Sequence, residues 1–394
     1  MIDVLFYVSG VNFSGATKMT VEAIERLDRK IFRPRAVFEK YDHRARHVTE
    51  RFARIGVPTL ILGAVWPAWL TRRFGLSRFE RWLARWPALR QARLSRFLGI
   101  AMPDILCSNG RPLSELPLQS HEARQVYYIH FVPELIGRLP QEVIDEMASA
   151  DKVIAVGSAQ RNALAARGVP ASILSIVANG VRATPFNADG RRRLRETLGL
   201  GSKDLLVGAV GGISLRKGVD RFLAVAEAIG RRNDCADMRF LWLGGQKSAL
   251  ADCPGGGDLL RRAEQLGDRV VFAGPVADPA DWFSAFDVFL LLSTNETTDI
   301  PLALAEAMWA KRPCLTTWRG NEDEQRLPAD CLLDDDHPEA VAERLVGLLR
   351  DTEWRKMLGK QVGAVAMAEL DIEQTAGAFA KALAEHLVSE HTTG

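Results

Sequence analysis

The sequence is poor in cysteine and builds no site from it. Its five cysteines, Cys107, Cys235, Cys253, Cys314 and Cys331, are odd in number and scattered, with no C-x-x-C pair. That excludes a disulfide framework and the usual zinc spacings, and points to a reducing compartment. Long apolar runs are missing too: no window of eighteen residues is apolar without a charge, so no membrane-spanning helix is expected. The opening Met-Ile-Asp-Val-Leu-Phe-Tyr-Val has no basic stretch and runs straight into a strand pattern, so no signal peptide is read and a cytoplasmic location is expected. Repeats and low-complexity tracts are absent. The Gly-Lys-Ser/Thr ending of a Walker loop and the G-x-G-x-x-G fingerprint are also lacking, which argues against a P-loop NTPase and a dinucleotide-dependent dehydrogenase. No Ser/His/Asp set and no pair of catalytic carboxylates emerges.

What is present is a chain of 394 residues, 47% hydrophobic and 25% charged, which suits two domains of ordinary soluble composition. The net charge of +2 hides a split. Residues 1–183 hold 26 Lys and Arg against 16 Asp and Glu, while residues 184–394 hold 25 against 33. A basic first half is suited to an anionic surface.

Both halves alternate short apolar runs with helical patterns, the mark of βαβ units and parallel sheets. Strands are expected at 3–8, 35–38, 58–62, 104–107, 125–129, 152–156 and 173–177, with helices at 16–30, 45–55, 78–98, 141–149 and 158–167. The second half reads as strands at 205–210, 239–243, 270–273, 287–292, 312–316 and 331–333, with helices at 218–231, 257–266, 280–285, 301–311, 337–350 and 353–368. The turn-rich stretch after Asn179-Gly180 marks the boundary. The expected domains are 1–183, 184–370 and a C-terminal helical segment, 371–394, able to pack back on the first domain.

Two stretches carry chemistry. Gly211-Gly212-Ile213-Ser214-Leu215-Arg216-Lys217-Gly218 joins an apolar strand to an amphipathic helix. Glycines there let backbone approach a ligand, the helix N-terminus favours an anion, and the cationic pair suits a diphosphate. The plainer alternative is a loop with two solvated cations. The second stretch, Ser293 to Met308, follows strand 287–292. Pro301 suits the first helical position, leaving the amides of Leu302 and Ala303 free for a ligand. Glu306 sits in apolar company one turn on, where a ribose diol would satisfy it; stabilisation by the helix dipole is the alternative. His130 ends a strand, where ligands gather in open α/β sheets. Asp334-Asp335-Asp336-His337-Pro338 precedes a helix and reads as a cap, so no metal site is assigned.

The glycine-rich loop, Lys-Gly, the strand-end glutamate and the Glu-Ala-Met helix, in this order and spacing, resemble glycosyltransferase family 4, over roughly residues 150–320. The resemblance implies the GT-B fold: α/β, two Rossmann-like domains with parallel sheets facing a central cleft, the first binding acceptor and the second the donor. It implies transfer of a sugar, with retention, from a nucleotide diphosphate-sugar (UDP or GDP) to a glycan or lipid-linked acceptor; no metal or other cofactor is expected, and without a recognised nucleic-acid module no nucleic-acid partner is expected. By the same resemblance Arg216 and Lys217 hold the diphosphate and Glu306 the ribose hydroxyls. Pro301, Leu302 and Ala303 face the phosphates or sugar, and Gly274 and Pro275 flank the base. The loop Ser9 to Thr17 brings Gly15 to phosphate or acceptor, and His130 faces the transferred sugar. The sequence departs from the family pattern twice. Gly212 stands where members often carry arginine, and Thr298 stands at the first acidic position, leaving Glu296 or Asp299 for the donor sugar, with Glu296 preferred. An epimerase on the same fold, or a donor-binding protein without turnover, are the competing expectations.

Residues 66–98 interleave Trp66, Trp69, Phe74, Phe79, Trp82, Trp86 and Phe97 with eight arginines, opposed by Glu80 alone. Phe79, Trp82, Leu83 and Trp86 form one helical stripe, with Arg78, Arg81 and Arg85 beside it. Two readings stand: a helix peripheral on the inner face of an anionic membrane, or a crossover helix packed on the first sheet.

Overall fold

A computed structural model of the chain describes residues 1–8, 15–39, 46–62, 86–99, 102–118, 122–276, 278–294, 296, 300–320, 326–334 and 337–385. The chain divides into two units. One holds residues up to Asn179 together with the chain from Ile372 onward, and the other holds Gly180–Glu296 and Ile300–Asp371.

The first unit is a seven-stranded sheet in the order β3-β2-β1-β4-β5-β6-β7. The strands are β1 (Ile2–Val8), β2 (Phe32–Phe38), β3 (Thr59–Ile61), β4 (Ile105–Asn109), β5 (Arg124–Ile129), β6 (Lys152–Ala155) and β7 (Leu174–Ile176). Every neighbouring pair is parallel, with Val4 opposite Ile105 and Val126 opposite Lys152. In β1, Val4, Phe6 and Val8 enter one core while Leu5 and Tyr7 enter the other. This two-residue alternation, apolar on both faces, is why a parallel strand reads as a continuous hydrophobic run.

The last helix, Ile372–Ala384, completes the first of those cores with Phe379 and Leu383. Phe379 lies 6.3 Å from the Phe6 ring and 4.8 Å from Tyr128. Burial of such a side chain is worth about 1.5–3 kcal/mol, so the helix is an integral part of the unit. Lys152 Nζ donates to Glu385 Oε2 at 2.5 Å just beyond it.

The basic aromatic segment is described from Trp86 onward; Phe79, Trp82, Leu83, Arg78, Arg81 and Arg85 lie outside the described residues. The helix there is Pro87–Leu98, with Leu94 and Leu98 buried on the sheet. Two of its arginines are engaged internally: Arg90 donates to Glu39 at 2.7 Å, and Arg93 donates to the carbonyls of Leu62 and Ile61 at 2.9 and 3.0 Å. The crossover-helix reading therefore holds for 87–98, while Trp86 is 50% exposed.

The second unit has five parallel strands in the order β10-β9-β8-β11-β12. They are β8 (Leu205–Val210), β9 (Met238–Leu243), β10 (Val270–Gly274), β11 (Val288–Leu291) and β12 (Cys314–Thr316). The expected strand at 331–333 is instead a short 3-10 turn, Ala329–Cys331, with a single bridge between Leu332 and Thr316. The boundary stretch also holds a helix the sequence reading did not anticipate, Ala188–Thr197, capped by Asn187, whose side chain accepts from the Gly190 N–H at 3.1 Å. Arg191 and Arg195, one turn apart, both reach Asp287 at the foot of β11, at 2.6 and 3.1 Å. No described helix is long and apolar enough to cross a membrane.

Candidate functional site

In the second unit the chain leaves β8 toward β9 on one side, while β11 pairs with β8 on the other. Such a topological switch opens a crevice at the C-terminal ends of the two strands, where ligands of open α/β sheets bind. Both chemistry-bearing stretches start there.

After β8, Ser214 closes a 3-10 turn, Leu215–Lys217, its hydroxyl accepting from the Lys217 N–H at 3.3 Å. Gly218 then adopts φ 78°, the left-handed conformation that turns the chain into the helix Val219–Gly230. A Cβ at Gly218 would come within 2.3 Å of the Leu292 carbonyl oxygen, so this glycine serves the close approach of the β11 loop. At Gly211 a Cβ would make only ordinary contact with the Lys217 stem, at 3.4 Å. The Trp242 indole N–H, from β9, donates to the Gly211 carbonyl at 2.8 Å and holds the loop from behind. A Cβ at Gly212 would meet nothing within 4 Å, so the position expected to carry arginine is open space.

The β11 loop is locked onto this turn by the Thr294 N–H, which donates to the Arg216 carbonyl at 2.8 Å. The link sets the geometry of the charges. Lys217 Nζ donates to Glu296 Oε1 at 2.6 Å, and Arg216 Nη1 lies 3.9 Å from Glu296 Oε2. The Glu296 side chain is 5% exposed, Lys217 24% and Arg216 50%. The cationic pair is thus partnered by the carboxylate that the sequence reading placed at the donor sugar.

Pro301 is the N-cap rather than the first residue of the helix Leu302–Trp309, with φ −58° and ψ 134°. Its carbonyl accepts the first helical bond, from the Ala305 N–H at 2.9 Å, so the Leu302 and Ala303 amides precede the helical ladder. Glu306 is 8% exposed among Leu304, Ala305, Ala307 and Met308, all buried. Gly274 ends β10 with φ 73°, followed by Pro275. Asp299 lies outside the described residues.

A cavity of about 500 Å³ beside Glu296 is lined by Ser293, Thr294, Trp318, Arg319 and Arg221 among others. The Ser293 hydroxyl is buried with no hydrogen-bond partner among the described residues. Trp318 and Arg319, in the loop after β12, were not singled out by sequence; only their position after a strand end could have signalled them. Asp334 does not cap the next helix: it accepts from Arg319 at 2.9 Å, and the cap residue His337 makes no side-chain capping bond. Among the described residues no three His, Cys, Asp or Glu side chains converge to hold a metal.

Gly15 and His130 belong to the first unit. Gly15 opens the helix Gly15–Glu25. His130 follows β5, is 7% exposed, and packs on Tyr128 with ring centroids 4.2 Å apart. Burial pulls its pKa down to about 3, so it is a neutral imidazole at physiological pH. Its Nε2 has no partner among the described residues.

The chain has the two Rossmann-like α/β units of the GT-B fold. Residues 204–351, most of the second unit, match the family described as Glycosyl transferases group 1, and Lys217, Glu296 and Glu306 lie within the matched residues. The chain is 24% identical over 214 residues to an alpha-galactosylglucosyldiacylglycerol synthase of Streptococcus pneumoniae, a match covering 50% of this chain and 54% of that protein. The chain thus spans about half the length of the curated relative it matches. Among solved structures, HepE of Anabaena in complex with UDP and glucose aligns over 98% of this chain and all of its own, with TM-score 0.75 and 16% identity. Sucrose-phosphate synthase from Thermosynechococcus elongatus aligns over 98% of this chain and 100% of its own, with TM-score 0.70 and 19% identity.

Proposed function

We propose that this chain is a glycosyltransferase that moves a sugar, with retention, from a nucleoside diphosphate-sugar to a hydroxyl of a glycan or lipid-linked acceptor. The observation that carries the reading is the convergence of Arg216, Lys217 and Glu296 at the switch between β8 and β11. HepE, solved with UDP and with UDP-glucose, and the relative named as a glycolipid synthase support the donor and acceptor classes.

Lys217 and Arg216 are assigned to the diphosphate, with the Leu302 and Ala303 amides beside it, and Glu306 to the ribose diol. Lys217 leaves Glu296 for the diphosphate, and the Glu296 carboxylate is then free to accept from donor-sugar hydroxyls. In the step itself the bond between the anomeric carbon and the diphosphate oxygen breaks, and the acceptor oxygen bonds that carbon from the same face. The acceptor proton passes to the departing phosphate oxygen, whose growing charge Lys217 and Arg216 stabilise. No metal is needed for this balance. His130, neutral, contributes a hydrogen bond rather than a proton, and Gly15 belongs with the acceptor.

The reading is tested by incubating the protein with UDP-glucose and UDP-galactose, with and without a membrane lipid extract, and analysing products by NMR. An acceptor-dependent α-linked glycoside is expected. A changed donor sugar without acceptor would indicate an epimerase, and binding without turnover a receptor. The part of the basic segment that precedes the helix Pro87–Leu98, residues 66–86, is assigned to an anionic inner-membrane surface. Substitution of Arg78, Arg81 and Arg85 by Glu should abolish binding to phosphatidylglycerol vesicles, and unchanged binding would return that stripe to the core.

A further inference from the structure

We propose that the primary amide of Gln246 reads the hydrogen-bonding edge of the donor's nucleobase. The inference rests on the nucleotide reading above and adds a residue that the sequence reading did not single out.

Strands β9 and β10 end side by side and exchange backbone bonds beyond their last residues. The Gly244 N–H donates to the Gly274 carbonyl at 2.9 Å, and the Gly274 N–H donates to the Gly245 carbonyl at 3.2 Å. Pro275, next in the chain, has no N–H to give. Backbone at Gly274 and Pro275 can flank a planar base, then, but has no donor left to recognise one. A side chain nearby can supply the recognition.

Gln246 is placed to do so. A Cβ built on Gly274 would have Gln246 Cγ, at 3.5 Å, as its sole neighbour within 4 Å. The glutamine stem therefore borders the space left open above the glycine. Its backbone is fixed, because its carbonyl accepts from the Ala249 N–H at 3.0 Å at the head of the turn Lys247–Asp252. Its side chain is exposed, makes no capping bond and has no hydrogen-bond partner among the described residues. A primary amide presents a donor beside an acceptor, and the edge of uracil offers an acceptor beside a donor, so the two pair through two bonds. β9 lies between β10 and β8, so Gly274 and the Lys217 turn follow strands about 10 Å apart, a separation that a nucleoside diphosphate bridges.

The test is calorimetric titration of the full chain with UDP and with inorganic pyrophosphate, for the wild type, Gln246→Leu and Gln246→Glu. A bidentate amide–base pair is worth about 5- to 150-fold in affinity. Gln246→Leu should therefore weaken UDP by that factor while leaving pyrophosphate affinity and the ligand-free melting temperature unchanged. Gln246→Glu should weaken UDP as well, because a carboxylate opposes the uracil O4. Wild-type binding of UDP with unchanged affinity in both variants would overturn the role of Gln246 alone. A wild type that binds neither UDP nor pyrophosphate would overturn the nucleotide site with it.

Discussion

Lys217→Met removes the ammonium from the crevice between β8 and β11 while keeping an apolar stem of similar length. In the free protein Lys217 Nζ is 2.6 Å from Glu296 Oε1, and the next cation, Arg216, stands 3.9 Å from that carboxylate. A hydrogen bond to a charged group is worth about 1.5–3 kcal/mol. Loss of one from the diphosphate should weaken UDP binding about 10- to 150-fold at 1.4 kcal/mol per tenfold. Uridine, which has no phosphate, should bind both proteins alike. The variant also strands Glu296, only 5% exposed, and should lose about 1–3 kcal/mol of stability. Lys217→Met with Glu296→Gln should recover that stability without recovering UDP affinity. Calorimetry with UDP and uridine, beside urea unfolding, reads all of these. Equal losses for UDP and uridine, or no loss for UDP, would refute the diphosphate assignment.

Three further outcomes follow from the same geometry. Gly212 faces open space, so Gly212→Arg should fold normally and tighten UDP several-fold by adding a cation to the loop; unchanged or weaker UDP binding in calorimetry counts against it. Gly218 has φ 78° and its Cβ would sit 2.3 Å from the Leu292 carbonyl; Gly218→Ala should cost about 3 kcal/mol or more in urea unfolding, and a cost like that of Gly212→Ala would show the two loops are not closely packed. The depressed pKa of His130, about 3 against an ordinary 6.5, means the unfolded chain takes a proton that the folded one refuses. Stability should be fully present above pH 6.5 and fall progressively as pH drops toward 3; His130→Phe should flatten that fall, and an unchanged pH profile would contradict the burial argument.

Much of the site was legible in the sequence because strand ends and helix starts are local events. The run Leu205–Val210 followed by Gly211-Gly212 and Lys217-Gly218 gave a strand, a turn and a helix start whose order is read directly from residue types. What local pattern does not carry is which distant backbone a glycine admits. Gly218 is small for the sake of the Leu292 carbonyl. Pairing of Glu296 with Lys217 was hidden for the same reason, since it depends on β8 and β11 being neighbours. The helix Ala188–Thr197 was obscured by Gly190 in its first turn, although Asn187 is a capping residue. Cys331 to Leu333 looked like a strand because the run is apolar; Cys331 and Leu333 are buried, yet the stretch makes only one bridge. Of the helix expected at 78–98, residues 78–85 lie outside the described residues, and Pro87–Leu98 is a helix with proline at its first position.

The central claim is that a nucleoside diphosphate binds at the C-terminal ends of β8 and β11. A crystal structure of the protein grown with UDP tests it most directly. The account predicts the diphosphate within hydrogen-bond distance of Lys217 Nζ, with Glu296 released from that ammonium and the ribose hydroxyls on Glu306. UDP bound elsewhere in the chain, with the Lys217–Glu296 pair intact, would contradict it.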